Sequence, residues 1–199
     1  MPPRAAVDAR PKNLDFKSEL ALALDDQGNF FMEIGLGTLA AERLREALTI
    51  RQELHATGQM PRSFVRYLAA NHASLGRTLA RSGNTADAEV SYKEALKLLT
   101  QLVKQFPDSP FFRATLAQTL ANFADLLDDL HRQQEVEVIR GQVVVHYEYL
   151  AQHFPEDPGN QRNLVLSYLQ LGAVHAARGR LAAATVKLCE ALGVAVTMP

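Results

Sequence analysis

The chain has 199 residues, of which 47% are hydrophobic and 22% charged, a composition typical of a folded globular protein. A formal net charge of −1 leaves no basic excess for binding nucleic acid or an anionic membrane. The single cysteine, Cys189, excludes an intrachain disulfide. No apolar run approaches the ~20 residues that span a bilayer. The composition therefore predicts a soluble, cytoplasmic protein with neither a nucleic-acid nor a membrane partner.

The predicted elements are helices throughout. Residues 1–10, MPPRAAVDAR, lack the apolar core of a signal peptide, and we predict a flexible segment there. Residues 11–199 form a single predicted domain of four helix pairs, over 11–58, 59–106, 107–154 and 155–199. The turn inside each pair carries a helix-stop signal, which is glycine in three of them and His131 in the third. In the first pair that turn is Gly35-Leu36-Gly37-Thr38, which lacks the lysine of a phosphate-binding loop.

The four pairs follow a period of 48 residues. Several sets of similar residues recur at that step, and they are Leu20, Leu68, Leu116 and Leu164; Gly28, Gly76, Ala124 and Gly172; and Ala40, Ala88, Val136 and Ala184. Within a copy the apolar residues fall at helical steps of three, four and seven. The chain is therefore about four copies of one unit of two antiparallel helices.

Two short motifs, FPDSP at 106–110 and FPEDP at 154–158, mark the joints between units. Pro107 and Pro155 cannot continue a helix, so each ends the second helix of its unit. Ser109 and Asp157 are good N-caps, and a proline follows each at the first helical position. We expect Phe106 and Phe154 to pack under the first helix of the next unit.

The bulky and small residues of the units resemble the tetratricopeptide repeat (TPR) family. The second copy carries the pattern best, with Leu75-Gly76, Leu79, Ala88, Tyr92 and Ala95. The resemblance implies an all-α fold, an α-solenoid of about four stacked antiparallel helix pairs in a right-handed superhelix, and a scaffold that binds proteins. The common unit is about 34 residues. The longer unit is similar to arrays in some bacterial proteins, often C-terminal to a serine/threonine kinase domain, and a regulatory or oligomerisation role is the alternative function.

No set of residues predicts catalysis, a metal site or a cofactor. His146 and His153 share a helical face but lie two turns apart, ~10 Å, too far to ligate one metal. His72 and His175 occupy inward positions of first helices, where we expect a structural role. Cys189 has no identifiable base beside it. We therefore expect a protein that is not an enzyme.

In the TPR family the first helices line the concave surface, and this implies a binding groove here. The groove positions with informative chemistry are Arg77, Arg81, Asp125, Asp128, Asp129, Leu166 and Leu169. They predict a peptide or protein ligand with a basic residue near Asp125 and an apolar end near Leu169. The alternative is that Arg77 and Arg81 pair with the three aspartates, which would leave no binding role. The lysine and asparagine set that holds a C-terminal carboxylate in some relatives is incomplete.

The last unit suggests association. The segment Leu192-Gly193-Val194-Ala195-Val196 is apolar and has no following first helix to cover it, so the chain is either part of a longer array or self-associates there. Arg140 is unusual because it stands where Tyr92 and Leu188 stand in other copies. It either extends to solvent, pairs with an acid, or marks a loosened third unit.

Overall fold

The computed structural model describes residues 14–58 and 64–197, with side chains as far as Gly193. The predicted flexible segment 1–10 lies outside these residues. Within them the chain is helical and contains no strand, as the sequence predicts. The helices are α1 Leu14–Glu33, α2 Gly37–Ala56, α3 Val65–Arg81, α4 Thr85–Gln105, α5 Pro110–Asp129, α6 Gln133–His153, α7 Pro158–Ala177 and α8 Leu181–Thr197.

The helix boundaries recur regularly. The second helices of the four pairs begin at Gly37, Thr85, Gln133 and Leu181, each 48 residues after the last (85 − 37 = 133 − 85 = 181 − 133 = 48). Among the first helices, α1 and α7 have matching bounds after three such steps, since 158 − 14 = 177 − 33 = 144. Residues can therefore be compared between pairs by adding or subtracting 48.

The chain forms two compact units, Met1–Leu102 and Val103–Pro199. In the first, α1 packs on α2 and α2 packs on α3. In the second, α5, α6, α7 and α8 pack in chain order, each on the next. Adjacent helices in sequence are thus neighbours in space, which is the packing of a helical repeat fold.

Close crossings within the pairs depend on small residues. A Cβ added to Gly76 would lie 2.9 Å from Cδ1 of Tyr92, so α3 and α4 cross at a distance that only glycine permits. A Cβ on Gly28 would lie 2.7 Å from Cγ of Leu44, which shows the same restriction between α1 and α2. The small residue of the TPR-like pattern therefore has a steric cause.

The turns follow the predicted stop signals. Gly35, Gly83 and Gly179 have positive φ angles of 81°, 76° and 71°. His131 takes the same left-handed conformation, with φ 58°, which a non-glycine residue adopts at some cost. At the joints, α5 and α7 begin on Pro110 and Pro158.

The two joints differ in their caps. Oδ1 of Asp157 accepts a hydrogen bond from the Gly159 amide at 2.8 Å, whereas the Ser109 side chain makes no cap bond. Phe106 packs on Phe112 of α5 with ring centroids 5.5 Å apart, as the sequence predicts. In the next joint Asn160 replaces that ring, and its side-chain amide donates to the Phe154 carbonyl at 3.0 Å.

The core is a seam of fully buried side chains between successive helices. Its largest apolar members are Leu44, Leu54, Tyr92, Leu99, Leu102, Leu126, Leu127 and Leu150. The apolar positions at helical spacing thus point inward, where their burial supplies most of the folding free energy. None of the described helices is long and apolar enough to cross a bilayer.

Candidate functional site

All seven residues predicted to line a groove are exposed. Arg77 and Arg81 lie on α3 of the first unit, and neither has a carboxylate partner among the described residues of that unit. The other five belong to the second unit, where Asp125, Asp128 and Asp129 lie on α5 and Leu166 and Leu169 on α7. A single surface that joins all seven stays a prediction, and the second unit carries the candidate site.

A cavity of about 420 Å³ opens between α5, α6 and α7 of the second unit. Its lining comes from three helices and comprises Asp128, Gln133, Val136, Arg140, Gln170, Ala173, Val174, Ala177 and Arg178. Asp128, Ala173 and Ala177 are among the first-helix positions that the TPR resemblance assigns to the concave surface. The cavity is large enough for one or two side chains of a peptide and has both polar and apolar walls.

The buried guanidinium of Arg140 organises one wall. Its Nη1 donates to Oε1 of Gln170 at 2.8 Å, and its Nη2 binds the carboxylate of Asp125. The Arg140 side chain is only 7% exposed, whereas that of Asp125 is 64% exposed. Of the alternatives for Arg140, pairing with an acid is confirmed. The charge of Asp125, expected to meet a basic ligand residue, is already matched inside the protein.

Asp128 and Asp129 are the acidic groups that remain for a ligand. Oδ1 of Asp128 accepts a hydrogen bond from the side-chain amide of Gln133 at 2.5 Å, which orients the carboxylate without neutralising it. Asp129 makes no ion pair or hydrogen bond with the described residues and is exposed. Both lie in the last turn of α5, where the helix dipole adds partial negative charge. This edge of the cavity therefore favours a cation.

The opposite edge holds a cluster of charges that neutralise one another in part. Glu137 of α6 binds Arg178 at 2.7 Å and also binds Arg180, and Nδ1 of His175 lies 3.7 Å from its carboxylate. The hydrogen bond from Arg180 is the largest cause that lowers the pKa of Glu137. Two arginines against one glutamate leave a positive edge, so the cavity is acidic on its α5 side and basic on its α7–α8 side.

An apolar stripe continues along α7 from the cavity. Leu166 and Leu169 are 49% and 40% exposed, and Ala173 and Ala177 follow them at helical spacing. Two exposed leucines beside a wall of alanines form a surface on which an apolar side chain can pack. The acidic edge and this stripe together have the chemistry that the sequence predicts for the ligand.

The first unit carries a buried polar network that the sequence did not indicate. Asp25 binds Arg51 of α2 with Oδ2 and Nη2 2.5 Å apart, and its Oδ1 accepts from Nδ2 of Asn71 at 2.6 Å. Arg51 is only 1% exposed. Asp25 stands at a first-helix groove position, yet its carboxylate is occupied by these partners. Arg51 falls in the apolar register of α2, one turn after Ala47, and a charged residue in that register was the available signal.

The histidines and the cysteine stand apart from this site. Burial lowers the pKa of His72 and of His146. Cys189 is exposed on α8. Within 14–58 and 64–193, no group of three or more His, Cys, Asp or Glu side chains is arranged to hold a metal ion.

Two solved structures, each described as a crystal structure of MamA, are similar to this chain. The first covers 96% of this chain and 83% of its own, at 16% identity and a TM-score of 0.54. The second covers 94% of this chain and 76% of its own, at 15% identity and a TM-score of 0.55. No protein-family model matches the sequence, and no curated protein matches it. At such identities the likeness concerns the fold alone, and the chain has a TPR-like helical-repeat fold.

Proposed function

We propose that the chain is a non-catalytic scaffold that binds a protein partner through a peptide segment in the groove of the second unit. The ligand segment presents a lysine or arginine to Asp128 and Asp129 and an apolar side chain to Leu166 and Leu169. The observation that carries the proposal is the cavity of about 420 Å³, with an acidic edge on α5 and an exposed leucine stripe on α7. Exposed leucines are costly unless a partner covers them.

The pairing of Asp125 with Arg140 refines the expected ligand. Asp125 contributes to the shape of the wall, and its charge is balanced by a buried cation. A basic ligand residue therefore binds one turn further along α5, at Asp128 and Asp129. On the other side the positive edge near Arg178 suits an acidic residue or a C-terminal carboxylate of the ligand. The segment is thus basic, apolar and acidic at distinct positions.

A selection from a random peptide library tests the proposal. We expect enriched peptides to combine Lys or Arg with Leu, Ile or Phe, and to lose at least tenfold in affinity for a D128K/D129K variant. Lysines in the last turn of α5 suit the helix dipole, so the variant should remain folded. E156K is the charge-matched control, since Glu156 is exposed in the joint before α7. Equal affinity of D128K/D129K and E156K for the selected peptides would reject the groove.

The alternative is a regulatory or oligomerisation segment of a bacterial serine/threonine kinase-associated protein. Its support is the 48-residue unit with a long second helix. Coding sequence upstream of this chain tests it, because a kinase domain there would favour this function over a free-standing scaffold. A cytoplasmic location belongs to either version of the proposal, supported by the use of one cysteine. Self-association through the last helix pair belongs to the proposal too.

A further inference from the structure

Helix α8 exposes an apolar face. Leu181, Leu188 and Leu192 are 69%, 44% and 66% exposed. The two charged residues of α8 up to Gly193, Lys187 and Glu190, bind each other with Nζ and Oε2 2.7 Å apart. This face therefore offers a partner apolar surface without an unmatched charge.

The packing of α6 on α7 shows what covers the same face one unit earlier. Subtracting 48 places Leu181 at Gln133, Thr185 at Glu137 and Leu188 at Arg140. In α6 these three residues contact α7 or line the cavity with it, through Arg140 on Gln170 and Glu137 on Arg178. The exposed face of α8 thus corresponds to the face of α6 that receives a first helix.

The first helix of the chain exposes the matching surface. Subtracting 144 places Val174 of α7 at Phe30 of α1, and Arg178 at Ile34. Val174 lines the cavity with Arg140, and Arg178 binds Glu137, so both belong to the surface that α7 presents to α6. Phe30 and Ile34 are 56% and 53% exposed.

The residues on the two exposed surfaces suit each other. Where α6 and α7 pair Glu137 with Arg178, the corresponding places hold Thr185 and Ile34. Where Arg140 meets Val174, they hold Leu188 and Phe30. Polar partners are replaced on both sides by uncharged residues. An isolated charge would be left without its partner, and no such mismatch arises at these positions.

We propose that α8 of one copy packs on α1 of a second copy, in the manner in which α6 packs on α7. This deepens the self-association proposed above and rests on it. The contact is heterologous, since it joins two different surfaces, so each bound copy keeps one free surface and association continues beyond the dimer. A seam between two helices is smaller than the ~800 Å² per partner of a standard interface, so we expect weak association. The dissociation constant should be on the order of 10–100 µM.

Two single variants, each with a matched control, test the contact. L181E blocks the α8 surface, and a glutamate at the first position of a helix favours folding. V186E is its control, because Val186 corresponds to Val138, which stays 61% exposed beside the packed α7. F30E blocks the α1 surface. L22E is its control, because Leu22 corresponds to Leu166, which α6 leaves exposed. Both blocking changes introduce negative charge, so they cannot attract each other.

Sedimentation equilibrium of the full chain from about 5 µM to about 1 mM gives the masses. We expect the wild type, V186E and L22E to exceed twice the 21.9 kDa chain mass at high concentration. L181E and F30E should each remain at one chain mass. An equimolar mixture of L181E and F30E should form a complex of two chains, because each supplies the surface that the other lacks.

Other outcomes overturn the proposal in distinct ways. A mixture that stays at one chain mass would reject the pairing of α8 with α1. Loss of association in L181E but not in F30E would show that α8 pairs with itself, which keeps self-association and rejects this contact. V186E behaving as L181E would reject the assigned face. A wild type of one chain mass throughout would reject self-association itself. The groove is tested separately, since D128K/D129K should associate as the wild type does.

Discussion

The buried guanidinium of Arg140 on α6 binds the largely exposed carboxylate of Asp125 on α5. The pair is asymmetric, since one charge is inside the protein and the other is at its surface. A buried charge that loses its partner is far more costly than an exposed one. The two residues should therefore respond very differently to substitution.

We expect Asp125→Ala to lower the free energy of unfolding by about 2–3 kcal/mol, because Arg140 would stay buried with only Gln170 as a partner. Arg140→Leu should change it by less than about 1 kcal/mol, since Asp125 remains hydrated and leucine stands at this place in the last unit. Urea unfolding followed by circular dichroism measures both. Equal losses in the two variants would contradict the asymmetry.

The network around Asp25 predicts a larger loss. Asp25→Ala removes the carboxylate that binds Arg51 and Asn71, and Arg51 is buried with no other carboxylate beside it. We expect the free energy of unfolding to fall by about 3–5 kcal/mol. Glu33→Ala, at an exposed end of the same helix, is the control and should change it by less than about 0.5 kcal/mol. A loss at Asp25 no greater than at Glu33 would mean that the network adds nothing to stability.

The close crossing of α3 and α4 predicts opposite effects of one exchange at two glycines. In Gly76→Ala the new methyl group would meet the Tyr92 ring at 2.9–3.1 Å, and we expect a loss of about 1–3 kcal/mol. At Gly141 an added Cβ meets no atom within 4 Å, so Gly141→Ala should stabilise α6 by up to about 1 kcal/mol. Thermal unfolding of the two variants gives the comparison, and a stabilised G76A would refute the crossing.

The buried His72 predicts a pH dependence of stability. Burial lowers its pKa below 6.5 in the folded chain, while the negative charge of Glu94 opposes that shift. The unfolded chain therefore takes up a proton at a higher pH than the folded chain. Stability contributed by neutral His72 is present above pH 6.5 and is lost as the pH falls below it.

Urea midpoints at about pH 8 and pH 5.5 measure this loss. H72Q should show a smaller fall between the two pH values than the wild type. H55Q, an exchange at an exposed position, is the control. If H55Q reduced the pH dependence as much as H72Q, the burial of His72 would not be its source.

Much of the fold was predictable because its signals are local. Pro107 and Pro155 end helices through their own ring geometry, and Gly83 and Gly179 accept positive φ because they lack a Cβ. The spacing of apolar residues shows which face is buried. Each of these signals depends on a few neighbours in the chain, so no long-range contact is needed to read it.

The partners of charged groups were not predictable. Arg140 lies 15 residues after Asp125 and 30 before Gln170, and Arg51 lies 26 residues after Asp25. The sequence identifies Arg140 as unusual and leaves three alternatives open. The binding residues Asp128 and Asp129 were foreseen by their helical position, yet the cavity beside them needs three helices to exist.

The sequence by itself determined four helix pairs, their turns and joints, and the first-helix positions that carry exposed charge and leucine. It could do so because helix periods and stop signals act over a few residues. Only the tertiary structure decided which carboxylates are neutralised inside the protein, and which apolar surfaces remain uncovered. Those outcomes depend on distances between side chains from different helices. A charge or an apolar residue changes its meaning with what packs against it.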